Sequence, residues 1–567
     1  MKSYKIVSQV LLTIVVLCGT FTCTSAQVSL SATPNIPSKH EVRAVWLTTI
    51  GGLDWPHTYA QSERSAARQK QELLAILDKL QHAGINTILF QTRIRATMVY
   101  PSSIEPWDGC LSGFPGKNPG YDALAFAIDE CHKRGMELHA WVVTIPVGKW
   151  NGPGCSALRK AHPELLRRIG QEGYMNPETP GTADYLSHIC AEITRNYDVD
   201  GIHLDYIRYP ETWKITVSKD QGRQFITRIV KQIHDAVKQA KPWVKMSCSP
   251  IGKHDDLSRY WSHGWNAYST VCQEAQNWLK DGLMDELFPM MYFRDNNFFP
   301  FAIDWKEQSH GKIVVPGLGI YFMHPKEKDW DLASITREME VSRQYGMGHA
   351  FFRCKFFTDN LKGIYDFAAN TFNTYPTLIP PMTWKAKSCP KQPSQLTVTR
   401  KDSTTDIAWS GAVNTNDSPY LIYNIYASRQ YPVDTRDPRN LIAARYTHNS
   451  ISMKPVEGMY FAVSALDRYG NESQALQQAY TDCPQSSTRI VRTDGKKLQL
   501  DSLVVDGEAE YLVFESLAGN MVSTAKLASS VDISQIPDGV YTLRSINKRG
   551  IQHRLAMVII KRQESET

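Results

Sequence analysis

Long apolar stretches are nearly missing from this sequence, and only the N-terminus carries one. Lys2 and Lys5 precede an apolar run from Val10 to Phe21, and Thr24-Ser25-Ala26 supplies small residues for a cleavage site. That run is shorter than the roughly 20 residues a spanning helix needs. It reads as a signal peptide over residues 1–26, with export to the periplasm, the cell surface or beyond. No transmembrane segment is then expected in the mature chain. Leu17 before Cys18 and Thr22 before Cys23 are not the small residues usual before a lipid-modified cysteine.

Cysteine is also sparse, at 11 in 567 residues, which excludes a disulfide-dense scaffold. No CxxC pair and no His/Cys cluster has metal-ligand spacing, so no metal and no cofactor is implied. Basic runs are absent too. The formal charge of +6, two units of it on Lys2 and Lys5, is spread thinly along the chain. Nucleic-acid binding, which needs positive charge clustered on one face, is therefore not expected.

A chain of 567 residues exceeds what one core supports, and three domains are expected. Over residues 27–380, eight short apolar runs alternate with amphipathic segments. The runs are Val42–Thr49, Asn86–Gln91, Glu137–Val143, Asp200–Asp205, Val244–Ser249, Glu286–Tyr292, Ile313–Gly317 and His349–Arg353. Amphipathic stretches such as Ser62–Ala83 and Tyr121–Arg134 end in Gly84 and Gly135, residues suited to a left-handed helix stop. Eight βα units predict an α/β fold, a (β/α)8 TIM barrel. After the proline-rich Tyr375–Met382 the period shortens to two. Residues 385–484 resemble a fibronectin type III β-sandwich, and 485–567 form a second small all-β domain. Neither β unit concentrates titratable residues, so residues 27–380 are expected to suffice for chemistry.

In such a barrel the working residues sit at the C-terminal ends of the strands. Side chains alternate along a strand, so Gly201, His203 and Asp205 should face inward, with Asp205 last, at the mouth. Gln91 and Arg93 should point inward from the second strand, with Arg93 open to two roles, substrate contact or a buried ion pair. His139 and Trp141 face inward from the third strand, Trp141 as a stacking surface for sugar or as core. Tyr292 ends the sixth. Asp54, Glu105 and Asp295 lie in mouth-side loops. Cys110 and Cys155 fall in neighbouring loops on that same face and are expected to pair.

Several segments carry a family resemblance: Val42-Arg-Ala-Val-Trp46, Asp54-Trp-Pro56, Tyr100-Pro-Ser102, Glu105-Pro-Trp107, Gly116-Lys-Asn-Pro-Gly-Tyr-Asp122, His132-Lys-Arg-Gly135, Leu138-His-Ala-Trp141 and Asp200-Gly-Ile-His-Leu-Asp-Tyr-Ile-Arg-Tyr-Pro210. Together they resemble the bacterial family-10-like glycosyl hydrolases across the barrel. The resemblance implies an envelope or extracellular location and action on glycan strands, those of the bacterial cell wall being the expected polysaccharide. The matching mouth residues it implies are Asp54, Arg93, His139, Trp141, Asp205, Tyr206 and Arg208. Met290 stands where a glutamine is expected, and Asp108 where a serine is usual. A chitinase-type acid would occupy position 207, which is isoleucine here, so a substrate-assisted chitinase mechanism is not expected.

The expected activity is glycosidic hydrolysis by paired carboxyl groups. Asp205 is the first, and Asp54 is preferred over Glu105 and Asp295 as the second. Arg93, His139, Trp141, Tyr206, Arg208 and Tyr292 are expected to bind substrate. The alternative is a glycan-binding protein on a silent barrel. A metal-dependent deacetylase would need a ligand-spaced His and Asp set that the sequence lacks.

Overall fold

The computed structural model describes residues 38–260, 262–401, 403–454, 458–479, 490–500, 509–517, 520–547 and 552–562. The expected signal peptide, with Cys18 and Cys23, lies outside these, as does Cys483.

From Arg43 onward, short strands pair in parallel into one curled sheet of ten segments with helices between them. Arg43–Leu47, Thr87–Arg93, Glu137–Val143, Gly201–Asp205 and Lys245–Cys248 follow one another across it. The sixth strand is broken into Glu286–Leu287 and Met290–Met291, and the seventh into Ile313–Val314 and Gly317–Leu318. The sequence explains both breaks. Pro289 and Pro316 have no N–H to give to a ladder. His349–Phe351 is the eighth strand and pairs with the first, Arg43 opposite His349. Each edge segment of the sheet belongs to a strand whose other half pairs near the opposite edge.

Two apolar layers hold the sheet. Between strands and helices lie Ile88, Leu138, Ile202, Leu204 and their neighbours, against helix faces such as Leu73, Leu77 and Leu80 of Glu63–His82. Inside the curl, Trp46 meets His203, Phe288 and Phe352 edge-on at 5.9–6.0 Å. Such pairs add about 0.5–1.5 kcal/mol each beyond area burial. The helix stops at Gly84 and Gly135 are left-handed as expected, at φ +73° and +71°. The sequence reading missed a small antiparallel sheet after the third strand: Pro146–Lys149, Glu172–Met175 and Leu166–Ile169.

Seven strands follow the proline-rich segment in two antiparallel sheets. Ser394–Arg400, Thr405–Ser410 and Ser450–Met453 form one. Leu441–Tyr446, Ile422–Ser428, Tyr460–Leu466 and Leu476–Gln477 form the other. Their inner faces share Ile407, Ile425, Phe461 and Val463. A five-stranded sheet with a two-stranded partner completes the described chain, around Leu512, Phe514, Leu543 and Val558.

The seven-stranded unit does not stand apart. Arg445 donates to Glu137 at 3.0 Å and to Asp200 at 2.6 Å, and Arg468 to Asp200 at 3.1 Å, all four side chains being buried. Glu137 and Asp200 lie at the N-terminal starts of the third and fourth strands, so this unit closes that end of the sheet. Residues 27–380 thus pack against the following unit through these buried ion pairs. Among the described residues, no helix is long and apolar enough to cross a membrane.

Candidate active site at the C-terminal rim of the curled sheet

Alternation on the fourth strand runs as the sequence dictates. Ile202 and Leu204 join the outer layer while His203 and Asp205 face inward. Burial keeps His203 neutral, so its Nε2 accepts from Trp46 Nε1 at 3.3 Å and Nδ1 is left to face Ser247 Oγ at 3.0 Å. Asp205 is the last inward residue, 8% exposed. Its Oδ2 accepts from Trp141 Nε1 at 3.1 Å, and its Oδ1 from Ser249 Oγ at 2.9 Å and from the Tyr206 N–H at 2.8 Å. Burial pushes this carboxyl above its ordinary range by more than the Ser249 hydrogen bond and the Arg208 charge pull it down.

Tyr206, directly after it, takes a left-handed backbone at φ +54°. For a tyrosine that costs on the order of 1–3 kcal/mol, which surrounding contacts must offset. Arg208 supplies some of them. Its guanidinium lies 4.5 Å from the Tyr206 ring centre and 5.4 Å from that of Trp265, and its Nη2 donates to Glu211 Oε1 at 2.7 Å. On the other side, Tyr292 packs against Phe352 at 5.4 Å and Tyr321 at 5.7 Å. Burial and then the Asp205 charge push the Tyr292 phenol well up. Asp205, Tyr206, Arg208 and Tyr292 therefore come together.

The other candidates do not join them. Arg93 is turned away by a bulge. Gln91 is level with Trp141 but Arg93 with Val142, so Thr92 is the extra residue and Arg93 leaves the inner face. There it forms a two-pronged pair with Glu105, at 2.6 and 2.9 Å, and donates to the Val143 and Thr144 carbonyls. Both side chains are at most 2% exposed, and their charges face each other. Gln91 accepts the Thr49 and Ile50 N–H groups, each at 2.9 Å.

Asp54 is likewise consumed. One oxygen accepts the Thr48 N–H and hydroxyl, and the other accepts Arg353 Nη1 and the Lys355 N–H. It clasps the loops after the first and eighth strands, with no side-chain exposure. Asp295 is exposed, and its charge is felt by the buried Glu338 on the helix Leu332–Gln344. His139 is too deep. It is level with Gly201, four residues before Asp205, and contacts Glu137 at 3.1 Å. Trp141 is level with His203 and buried, and its indole N–H donates to Asp205.

Cys110 and Cys155 are free and buried, which corrects their expected pairing. The Cys155 sulfur faces Gly173 of the small antiparallel sheet, whereas the Cys110 thiol sits beside Asp108. Asp108 itself caps the helix Gly109–Ser112, a task that serine performs equally well.

Sequence reasoning missed Ser249, Tyr321, Phe352, Trp265 and Glu211 at the rim. Ser249 was within reach of the alternation argument, since it shares parity with Ser247.

The sequence matches the glycosyl hydrolase-like 10 family over residues 41–221 and 213–328. It is 28% identical over 500 residues to the glycosyl hydrolase YngK of Bacillus subtilis (strain 168), covering 80% of this chain and 95% of that one. It is 31% identical over 292 residues to the glycosyl hydrolase DigH of Escherichia coli (strain K12), covering 45% of this chain and 66% of that one. Among solved structures, an endo-1,4-beta-mannanase from Rhizomucor miehei aligns with a TM-score of 0.40 at 10% identity, over 59% of this chain and 95% of that one. With a family match that runs from the first strand of the curled sheet through its seventh, the chain belongs to the glycosyl hydrolase-like 10 family.

Proposed function

We propose that this protein is an exported glycoside hydrolase of polymeric glycans, bacterial cell-wall strands being the expected substrate, with Asp205 as its acid. The observation that carries the reading is the state of Asp205. It is a carboxyl at the inner end of the fourth strand, held by three donors yet pushed by burial toward its protonated form. A carboxyl raised above its ordinary range is suited to protonating a leaving glycosidic oxygen. Tyr206, Tyr292 and the 42%-exposed Trp265 offer ring faces for sugars beside it.

Within this reading the curled sheet works as a closed (β/α)8 barrel with its active face at the C-terminal rim. The seven-stranded unit is a fibronectin type III-like module acting as a floor for that barrel. The N-terminal leader carries the chain out of the cytoplasm. The cell-wall substrate rests on the motif resemblance.

A binding protein on a silent barrel is favoured by one observation. Two of the three carboxyls that the sequence offered as partners of Asp205, Asp54 and Glu105, are locked in ion pairs. Incubating the mature protein with cell-wall glycan strands, with and without stem peptides, separates the two readings. New reducing ends and shorter strands by mass spectrometry are expected of the hydrolase. Binding without cleavage of either substrate would contradict it.

A further inference from the structure

If Asp205 is half of a catalytic pair, the other half must be a carboxyl that is near it and open to water. Asp54 and Glu105 are closed off, and Asp295 follows Arg294, which reaches Ser334 at 3.4 Å and lies 5.1 Å from the Trp330 ring, away from Asp205's partners. Glu211 lies on the loop directly after the fourth strand. Its side chain is 48% exposed, and its Oε1 alone is engaged by Arg208. We infer that Glu211 is the second carboxyl of the reaction, the base that takes a proton from the attacking water, with Arg208 as its positioning residue. This rests on the hydrolase reading of Asp205.

The side chains form one cluster. The Arg208 charge acts on Asp205, its Nη2 holds Glu211 at 2.7 Å, and the Tyr206 phenol feels Asp205, Arg208 and Glu211 together. Arg208 is itself buried, 3% exposed at the side chain, and packed over the Tyr206 ring, so its position is fixed rather than sampled. Tyr206, between Asp205 and the Arg208–Glu211 pair, takes a left-handed backbone at φ +54°.

The two carboxyls also sit in opposed environments. Burial holds Asp205 toward its neutral form. Burial also pushes Glu211 up, but the hydrogen bond and charge of Arg208 outweigh it and hold Glu211 below the usual carboxylate range. Two carboxyls whose environments push them apart make an acid and an ionised partner. In the step, the Asp205 proton passes to the glycosidic oxygen and the C1–O bond breaks, its electron pair staying on that oxygen. The oxygen of a water bonds to C1 while one of its protons passes to Glu211 Oε2. Solvent then carries a proton from Glu211 back to Asp205. One water is consumed and the configuration at C1 inverts.

The test uses the full mature chain and cell-wall glycan strands. Glu211→Ala is expected to lower kcat at least a hundredfold with KM nearly unchanged. Added sodium azide should restore turnover and yield a glycosyl azide of configuration opposite to the bond cleaved. Glu211→Gln, nearly isosteric, should melt like wild type and lose the acid-side limb of the kcat/KM pH profile. Wild-type turnover by folded Glu211→Ala, or a glycosyl azide of retained configuration, would overturn the inference while leaving Asp205 in place. A wild-type protein that cleaves nothing would instead bring down the hydrolase reading, and this inference with it.

Discussion

Arg445 Nη2 lies 2.6 Å from Asp200 Oδ1, joining a strand of the seven-stranded unit to the start of the strand that ends in Asp205. Asp200 also accepts from His132 at 2.8 Å and from Arg468 at 3.1 Å, while Glu137 is shared between Lys245 and Arg445. These are buried charges, and removing one partner of such a group costs about 3–5 kcal/mol. Arg445→Ala and Arg468→Ala should each destabilise by an amount near the lower end of that range, measured by denaturant unfolding. Truncation after residue 380 removes both arginines and should lower the melting temperature more than either substitution. A truncated chain that melts like the full-length protein would show that the floor is dispensable.

The Arg93–Glu105 pair makes a second prediction. Arg93→Ala strands a buried Glu105 and should cost about 3–5 kcal/mol. Glu105→Gln keeps a hydrogen-bonding shape, and its kcat per folded molecule should stay within a few-fold of wild type. A loss of a thousandfold in kcat without loss of stability would return Glu105 to the chemistry.

Glu286 gives a pH test. It is fully buried, and burial pushes its carboxyl up to about 7 despite the opposing charges of His139 and Lys245. Its Oε2 faces His139 Nδ1 at 3.7 Å without a hydrogen bond. A carboxyl raised on folding favours the folded state only while protonated. Its contribution is present below the unfolded value near 4.5 and is lost as pH climbs to about 7. Glu286→Gln should therefore match wild type at pH 4.5 and exceed it at pH 8, by on the order of 3 kcal/mol. Identical pH–stability curves for the two proteins would show that Glu286 does not titrate in this window.

The thiol assignment is simple to check. Cys110 and Cys155 are both free, so alkylation of the protein unfolded without reductant should label both. A disulfide-linked peptide containing the two would contradict the structure.

Much of the fold and part of the site were legible in the sequence. The eight apolar runs fall on the strands of the curled sheet, and the parity of Gly201, His203 and Asp205 fixed which carboxyl faces the rim. Depth was not legible. His139 and Asp205 share an inner face, but the parallel register that sets His139 level with Gly201 is a tertiary fact. Parity also fails beyond an extra residue, and nothing local in Phe90-Gln-Thr-Arg93 announces the bulge that turns Arg93 outward. Asp54 looked available because its partners, Arg353 and Lys355, lie some 300 residues on, just after the strand that pairs with the first. Glu211 carried no signal of its own. It gains meaning only through Arg208 and the left-handed turn at Tyr206.

Release of reducing ends from cell-wall glycan strands by wild type and by Asp205→Asn is the most direct test of the central claim. Asparagine preserves the shape of the side chain, so the variant should fold and melt near wild type. It has no carboxyl proton to give, and its turnover is expected to fall below detection. Wild-type rates from a folded Asp205→Asn protein would remove Asp205 from the mechanism and contradict the proposed function of this rim.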